Sequence, residues 1–321
     1  MNRVESRRGR SSAAPPGQDP DGGEGAIPDE KLTSGDLAAR YGLKPVGVRA
    51  GLVEYVRDLI RWAPFTVALG LAQASSRNRA SYLGQIWNFL NPILNSAVYI
   101  LVFGLLLDTS RGVTNVVGFI VVGVFMYRSF SDVVTGAGKS IRRSKSLIKS
   151  LPFPRASMPL SSTVSEAAVL GPEVVVMLVI IWLSGFIPRM ATVTWSWHII
   201  LVIPGLMLLY AFSLGCGLFV ARLVAFVPDI AKLLPFVLRL VMYGSGAIFP
   251  VSHYFTDGTI QAILTYQPVA VMLTIIRQVT LSEPSIPFNW TMWLWALGWA
   301  IVALAVGLVF FWRAEARYGR E

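Results

Sequence analysis

Six apolar stretches, each close to the length that crosses a lipid bilayer, constrain this chain more than any other feature. A hydrocarbon core of about 30 Å needs about 20 consecutive apolar residues in helical form. Such stretches run over 86–107, 113–131, 158–186, 198–224, 231–251 and 291–312, the second being the weakest in apolar length. Hydrophobic residues make up 54% of the 321 and charged residues only 14%. No water-soluble fold of this size needs that much apolar side chain. The reading is an all-α integral membrane protein with six transmembrane helices.

A further run, 262–281, is broken by Pro268 and carries Arg277. As a seventh crossing it would leave Arg313, Arg317 and Arg320 outside. With six crossings both termini are cytoplasmic, and 17 of the basic residues beyond Leu52 lie on or near the inner side, against Arg111, Arg189 and Arg277 outside. That is the positive-inside pattern, and it accounts for the net charge of +10 without invoking nucleic acid. The region 253–289 is therefore read as short re-entrant or surface helices on the outer face, between the fifth and sixth spans. Trp195, Trp197, Trp290 and Trp293 suit an outer aromatic belt.

Before the spans the composition changes twice. Residues 1–49, rich in Pro, Gly and Ser with nearly balanced charge, read as a disordered cytoplasmic tail lacking the apolar core of a signal peptide. Residues 50–85 read as an interface helix and loop, and 86–321 as the six-span domain. Leu52, Tyr55, Val56, Leu59, Trp62 and Ala63 share one helical face, with Glu54, Arg57, Asp58 and Arg61 on the other. A segment so short and charged is expected to lie in the headgroup layer.

The sequence excludes several chemistries. Cys216 is the only cysteine, and His198 and His253 are the only histidines, so neither a disulfide nor a histidine metal cage is expected. No triad or paired-carboxylate site appears. Gly138-Lys139-Ser140 ends like a phosphate-binding loop, but Val133 stands where the first glycine would be. Any ATPase is then another chain.

What remains is polar residues inside or beside apolar runs. Ser140 to Leu160 reads as a short basic helix closed by Pro152 and Pro154. Ile141, Ser144, Ile148 and Leu151 fall on one face, and Arg142, Lys145 and Lys149 on another. It is either an orientation-setting loop or a rod that takes a push from a soluble partner. In the first span Asn88, Asn91, Asn95 and Tyr99 form a stripe, lining a conduit or bonding helix to helix. Glu166 and Arg239 lie at matching depths in the third and fifth spans and are expected to pair, while Glu173 has no evident partner. Arg77 and Arg79 either grip a phosphate or anchor the inner interface. Gly215, Gly217, Gly244 and Gly246 mark places for close helix approach.

From about residue 81 to 313 the order of short motifs resembles the permease subunit of bacterial ABC-2 family polysaccharide exporters of the Wzm type. The matching residues are Tyr82-Leu83-Gly84 with Trp87 and Pro92, then Leu147-Ile148-Lys149, Phe153-Pro154-Arg155 and Pro159-Leu160. Asp229-Ile230, Phe249-Pro250 and Gln267-Pro268 with Arg277 follow, the family more often having Asn-Pro at the last position. The resemblance implies a homodimer in the bacterial plasma membrane, working with two copies of a separate ATP-binding subunit that carries ATP and magnesium. No cofactor is expected on this chain. It further implies that Arg77, Arg79, Leu83 and Gly84 receive a polyprenyl-diphosphate-linked glycan. Asn88, Asn91, Asn95, Tyr99 and Tyr243 would line its channel. Arg142, Lys145, Leu147, Ile148 and Lys149 would dock on the ATPase, and Pro268 and Arg277 would belong to an outer gate. The glycan would be of the galactan, O-antigen or teichoic-acid type, and the charged N-terminal extension leans towards an actinobacterial galactan exporter. The alternatives are an ABC-2 permease for a drug or lipid, and a membrane-embedded glycan transferase or scaffold.

Overall fold

The computed structural model describes residues 51–77, 84–102, 112–187, 190–250, 258–281 and 283–318, without the side chains of Gln85, Asn88, Phe89, Pro92 and Ala316. Among these residues the chain is helix and loop throughout. In order come α1 (Leu52–Arg61), α2 (Ala63–Ser76), α3 (Trp87–Tyr99), α4 (Val116–Arg143), α5 (Lys145–Ser150) and α6 (Ser157–Ser184). Then follow α7 (Val202–Phe226), α8 (Ile230–Gly244), α9 (Gly258–Tyr266), α10 (Pro268–Thr280) and α11 (Trp290–Trp312).

Four helices are long and apolar enough to cross a membrane: α4, α6, α7 with its leading turn from Trp197, and α11. A fifth arises if α9 and α10, which meet at 76°, are taken as one broken span. The expectation of six is thus only partly matched. The first expected span runs beyond the described residues after Val102, and α8 stops at 15 residues, short of a full crossing. Gly246, with φ +67, turns the chain just after α8, a conformation open to glycine.

The core is α4 wrapped by α6, α7 and α10. In its most apolar stretch α4 is 78% buried, against 22–33% for the other three long helices. Those turn Ile203, Met207, Leu294 and Ile301 outward, each more than half exposed, as lipid rather than water allows. Asn115 caps α4, its side-chain oxygen accepting from the Gly118 amide at 2.8 Å. The buried carboxylate of Glu283 accepts from the Thr114 amide at 2.8 Å and the Thr114 hydroxyl at 3.0 Å, fixing the same end.

Two boundaries differ from the sequence reading. The helix of the second span does not stop where charge begins but continues to Arg143, then breaks at Ser144 and resumes as α5. The basic segment is therefore the C-terminal end of a core helix plus a six-residue elbow, not a free rod between spans. Ile141 and Ile148 are buried as their face requires, but Leu151 is 43% exposed. The second difference is α2, which follows α1 after a one-residue break at Trp62. Its buried face is Thr66, Gly70 and Ala74, small residues four apart, and a Cβ at Gly70 would run into the Ser161 carbonyl and Val164 of α6. Close approach of that kind is how small residues hold helices together in lipid.

Of the four glycines expected at helix contacts, Gly215 lies against the backbone of Ala303 and Gly217 against the Ala137 side chain. Gly244 faces open space.

Candidate functional site

The seam between α2 and α6 carries Arg77 to Glu166. One turn beyond Ala74, Arg77 donates from Nη1 to Glu166 Oε2 at 2.8 Å and from Nη2 to Oε1, a two-pronged ion pair. The Glu166 residue is 7% exposed. This corrects the expected Glu166–Arg239 pairing. The two residues have matching depths, but Arg239 is exposed and lines a cavity bounded by α3, α4 and α8. Arg77 is therefore committed to a carboxylate and does not stand free as an anion-binding group. Arg79 and Leu83 lie outside the described residues, and Gly84 starts a short turn at φ +50.

The cavity, of about 300 Å³, gathers Asn95, Tyr99, Arg128, Asp132 and Arg239. Arg128 and Asp132, one turn apart on α4, pair at 3.4 Å. Arg128 lies twelve residues into α4, roughly 18 Å from its start at ~1.5 Å per residue. A charge at that depth is costly unless paired or wetted, and here it is paired on a polar wall. Glu173 stands within electrostatic reach of Asp132, Arg128 and Glu166. Ser129 and Tyr210 share a hydrogen bond of 2.8 Å beside them. Of the proposed stripe, Asn95 and Tyr99 reach this cavity, Asn91 is half-buried, and the Asn88 side chain lies outside the described residues. Tyr99 donates to Met242 Sδ at 3.7 Å, tying α3 to α8, and Tyr243 is 42% exposed away from the cavity wall. Sequence reasoning missed Arg128 and Asp132, although an Arg–Asp pair four apart inside an apolar run is itself the signal.

At the other end of α4 the elbow rests on a second apolar cluster. Ile141 and Ile148 pack with Tyr55, Phe153, Leu218, Phe311 and Tyr318. Leu147 packs against the cluster's edge, whereas Arg142, Lys145 and Lys149 are exposed. Glu315 clamps the loop that follows. Its carboxylate accepts from the Arg155 amide and from the Tyr55 hydroxyl, both at 2.9 Å, and the Ala156 amide donates to the Tyr55 oxygen at 3.1 Å. The Arg155 guanidinium also donates to the Glu315 carbonyl.

Burial pushes the Glu315 carboxyl above the usual range, only partly offset by the Arg155 amide and Tyr55 hydroxyl. A carboxyl raised on folding holds its proton better in the folded chain. Its contribution is therefore greatest in acid and falls as pH rises through the raised value. Glu315→Gln is expected to flatten that part of a melting-temperature profile against pH. Tyr55→Phe, which orphans the Ala156 amide and one carboxylate oxygen, is expected to cost about 1–3 kcal/mol. Thermal melting in detergent would check both.

At the far end of α10, Arg277 is 3% exposed and donates to three carbonyls: Gly246 at 2.9 Å, Ala247 at 2.7 Å and Phe119 at 3.2 Å. Its guanidinium carbon stands 3.5 Å from the Phe119 ring centre. Gly123 makes this hub, since a Cβ there would strike the Ala247 carbonyl and Arg277. Pro268 opens α10, and Gln267 before it is extended, the conformation that a following proline favours. Gln267 in turn donates to the Leu264 carbonyl at 3.1 Å and to the last carbonyl of α8, that of Gly244. Among the described residues no cluster of three or more His, Cys, Asp or Glu could hold a metal ion.

Comparison with known proteins brings in a family. The profile of the ABC-2 type transporter family matches residues 66–281. The O-antigen export system permease protein RfbA of Myxococcus xanthus is 24% identical over 228 residues, 71% of this chain and 84% of that protein. Its counterpart of the same name in Klebsiella pneumoniae is 24% identical over 242 residues, 75% of this chain and 88% of that protein.

Proposed function

The chain belongs to the ABC-2 type transporter family, and from that premise we propose that it is the permease subunit of an ATP-driven exporter of a lipid-linked polysaccharide. The observation that carries this is the similarity to two O-antigen export permeases along most of their length. It is a transport permease, and ATP hydrolysis belongs to a separate chain. In this reading two copies stand in the bacterial plasma membrane with six crossings each, both termini in the cytoplasm, beside two ATP-binding subunits. The exposed apolar residues Leu233, Phe236, Val237 and Leu240 on α8 supply a face for the second copy. The polar cavity holding Asn95, Tyr99 and Arg239 is open to a conduit that such a pair would enclose. The bent α9–α10 pair, with Pro268 and Arg277, gates the outer end, and a galactan, O-antigen or teichoic-acid glycan on a polyprenyl diphosphate is the cargo.

The elbow is the part that meets the ATPase. Arg142, Lys145 and Lys149 are exposed while Ile148 is buried, so the cations face the partner and the isoleucine holds the elbow to the bundle. Replacing the three cations with alanine is expected to leave the permease folded, and to reduce glycan export at least about tenfold while the ATPase still hydrolyses. Export at the wild-type rate would remove the elbow from the mechanism. Co-purification with an ATP-binding subunit, and accumulation of lipid-linked glycan inside cells depleted of this chain, test the function itself. A chain that assembles with no ATPase would end this reading.

A further inference from the structure

Where the elbow meets the turn after α11 lies a cavity of about 210 Å³. Four segments wall it: the last turn of α4 with Arg142, the elbow with Lys145, the end of α7 with Phe226, and the turn that carries Arg317 and Tyr318. Three of the residues lining it are cations and none is an acid. Arg142, Lys145 and Arg317 are exposed, and among the described residues none of them pairs with a carboxylate. The acids close by in sequence are engaged elsewhere, Glu315 with Arg155 and Tyr55, and Asp229 with Lys232 at 3.1 Å. Like charges gathered around one concavity repel, and a floor of buried Ile141, Ile148 and Tyr318 concentrates their field. An anion entering from outside relieves that repulsion and takes charge-assisted hydrogen bonds from all three.

The lining decides between anions. Of its apolar residues only Pro228 is exposed, which gives the acyl chains of an anionic lipid little to rest on. Arg142 and Lys145 belong to the segment that the export reading sets against the ATP-binding subunit. A side chain of that subunit therefore reaches the cavity without a second interface.

We infer that this cavity is a socket for an acidic side chain of the ATP-binding subunit, with Arg317 as a docking residue beside Arg142 and Lys145; the inference rests on the export reading above. Lys149, on the same elbow, does not line the cavity and lies outside the socket. The partner then grips two separate parts of the chain at once, the elbow and the turn after α11. Glu315 already ties that turn to the loop following the elbow, so a pull on either part is shared by both.

The test uses the full chain in lipid nanodiscs with the ATP-binding subunit that co-purifies with it. Arg317→Glu is expected to weaken association about tenfold, because it sets a carboxylate against the incoming one. Arg313→Glu makes the same change of charge at the end of α11 but outside the cavity, and should leave association within about twofold of wild type. Both arginines are exposed, so neither change should lower the melting temperature. In the wild-type complex a zero-length carbodiimide, which joins an amine to a carboxylate it touches, is expected to link Lys145 to an aspartate or glutamate of the ATP-binding subunit. Mass spectrometry maps the link. Equal losses in the two variants, or a complex with no link from Lys145 to the subunit, overturn the socket. A link from Lys145 to Glu321 of this chain overturns it too, since the chain's own end would then fill the cavity. So does unchanged association of Arg317→Glu with loss of bound phosphatidylglycerol in native mass spectrometry, which would make this a lipid site. Failure of the wild-type chain to associate with any ATP-binding subunit removes the export reading, and the socket with it.

Discussion

Arg77→Met is expected to destabilise the permease by about 2–3 kcal/mol, and the further change Glu166→Leu to recover most of that loss. The asymmetry follows from what each step leaves behind. Removing only the arginine strands a carboxylate that is 7% exposed between α2 and α6. A buried charge without its partner costs several kcal/mol, or takes up a proton instead. Arg77 keeps 35% of its side-chain exposure, so water reaches the pair from one side and the lower end of that range applies. Removing both charges puts an apolar side chain where two ions were, which is often neutral in a protein interior. Melting of the four members of this cycle in one detergent gives the coupling directly. If Arg77→Met and Glu166→Leu each cost the same and their effects simply add, the pair does not hold α2 to the bundle. Arg239→Met in parallel should leave stability nearly unchanged, because Arg239 is exposed on α8 and makes no ion pair with Glu166.

That cycle also marks where the sequence stops being readable. Depth can be counted from hydropathy, and on depth alone Glu166 and Arg239 match. Depth is one coordinate of three, and the direction around the helix axis comes only from packing. The face of α6 that carries Glu166 is set by Ser161 and Val164 closing on Gly70, a contact between small residues with little hydropathy signal. Helix α2 was missed for the same reason, although Thr66, Gly70 and Ala74 repeat at a helical interval. The basic segment shows a different limit. Apolar character ends well before Arg142, but nothing breaks the backbone hydrogen bonds until Ser144, so the helix runs on. Where the signal is chemical and local the reading holds better. Pro268 divides its run into two helices at the expected place, and Ile141 and Ile148 are buried as their periodicity requires. What Arg277 touches was not legible: three carbonyls and a ring hold it inside the protein.

The largest loss is expected at the seam between α7 and α11. A Cβ on Gly307 would enter the backbone of Gly215, and a Cβ on Gly215 would enter the backbone of Ala303 and Leu304. Backbone atoms in a helix have no rotamer to change, so the two helices must move apart along their length. Lipid offers no hydrophobic drive to keep them together, and close packing is what the seam depends on. Gly307→Val is expected to cost more than about 3 kcal/mol, above the ordinary range for overpacking, because nothing at the contact can give. Gly298, nine residues earlier on α11, meets nothing within 4 Å. Gly298→Ala should therefore be neutral or stabilising by up to about 1 kcal/mol, through helix propensity alone. The consequence reaches the C-terminal end of α11. Helix α11 leads into Glu315, which holds Arg155 and Tyr55 and so fixes the loop beside the elbow. Separating the seam should loosen that clamp, exposing the 153–157 loop to limited proteolysis before the bundle melts. Equal melting temperatures for Gly307→Val and Gly298→Ala would show that α7 and α11 are held by something other than this backbone contact.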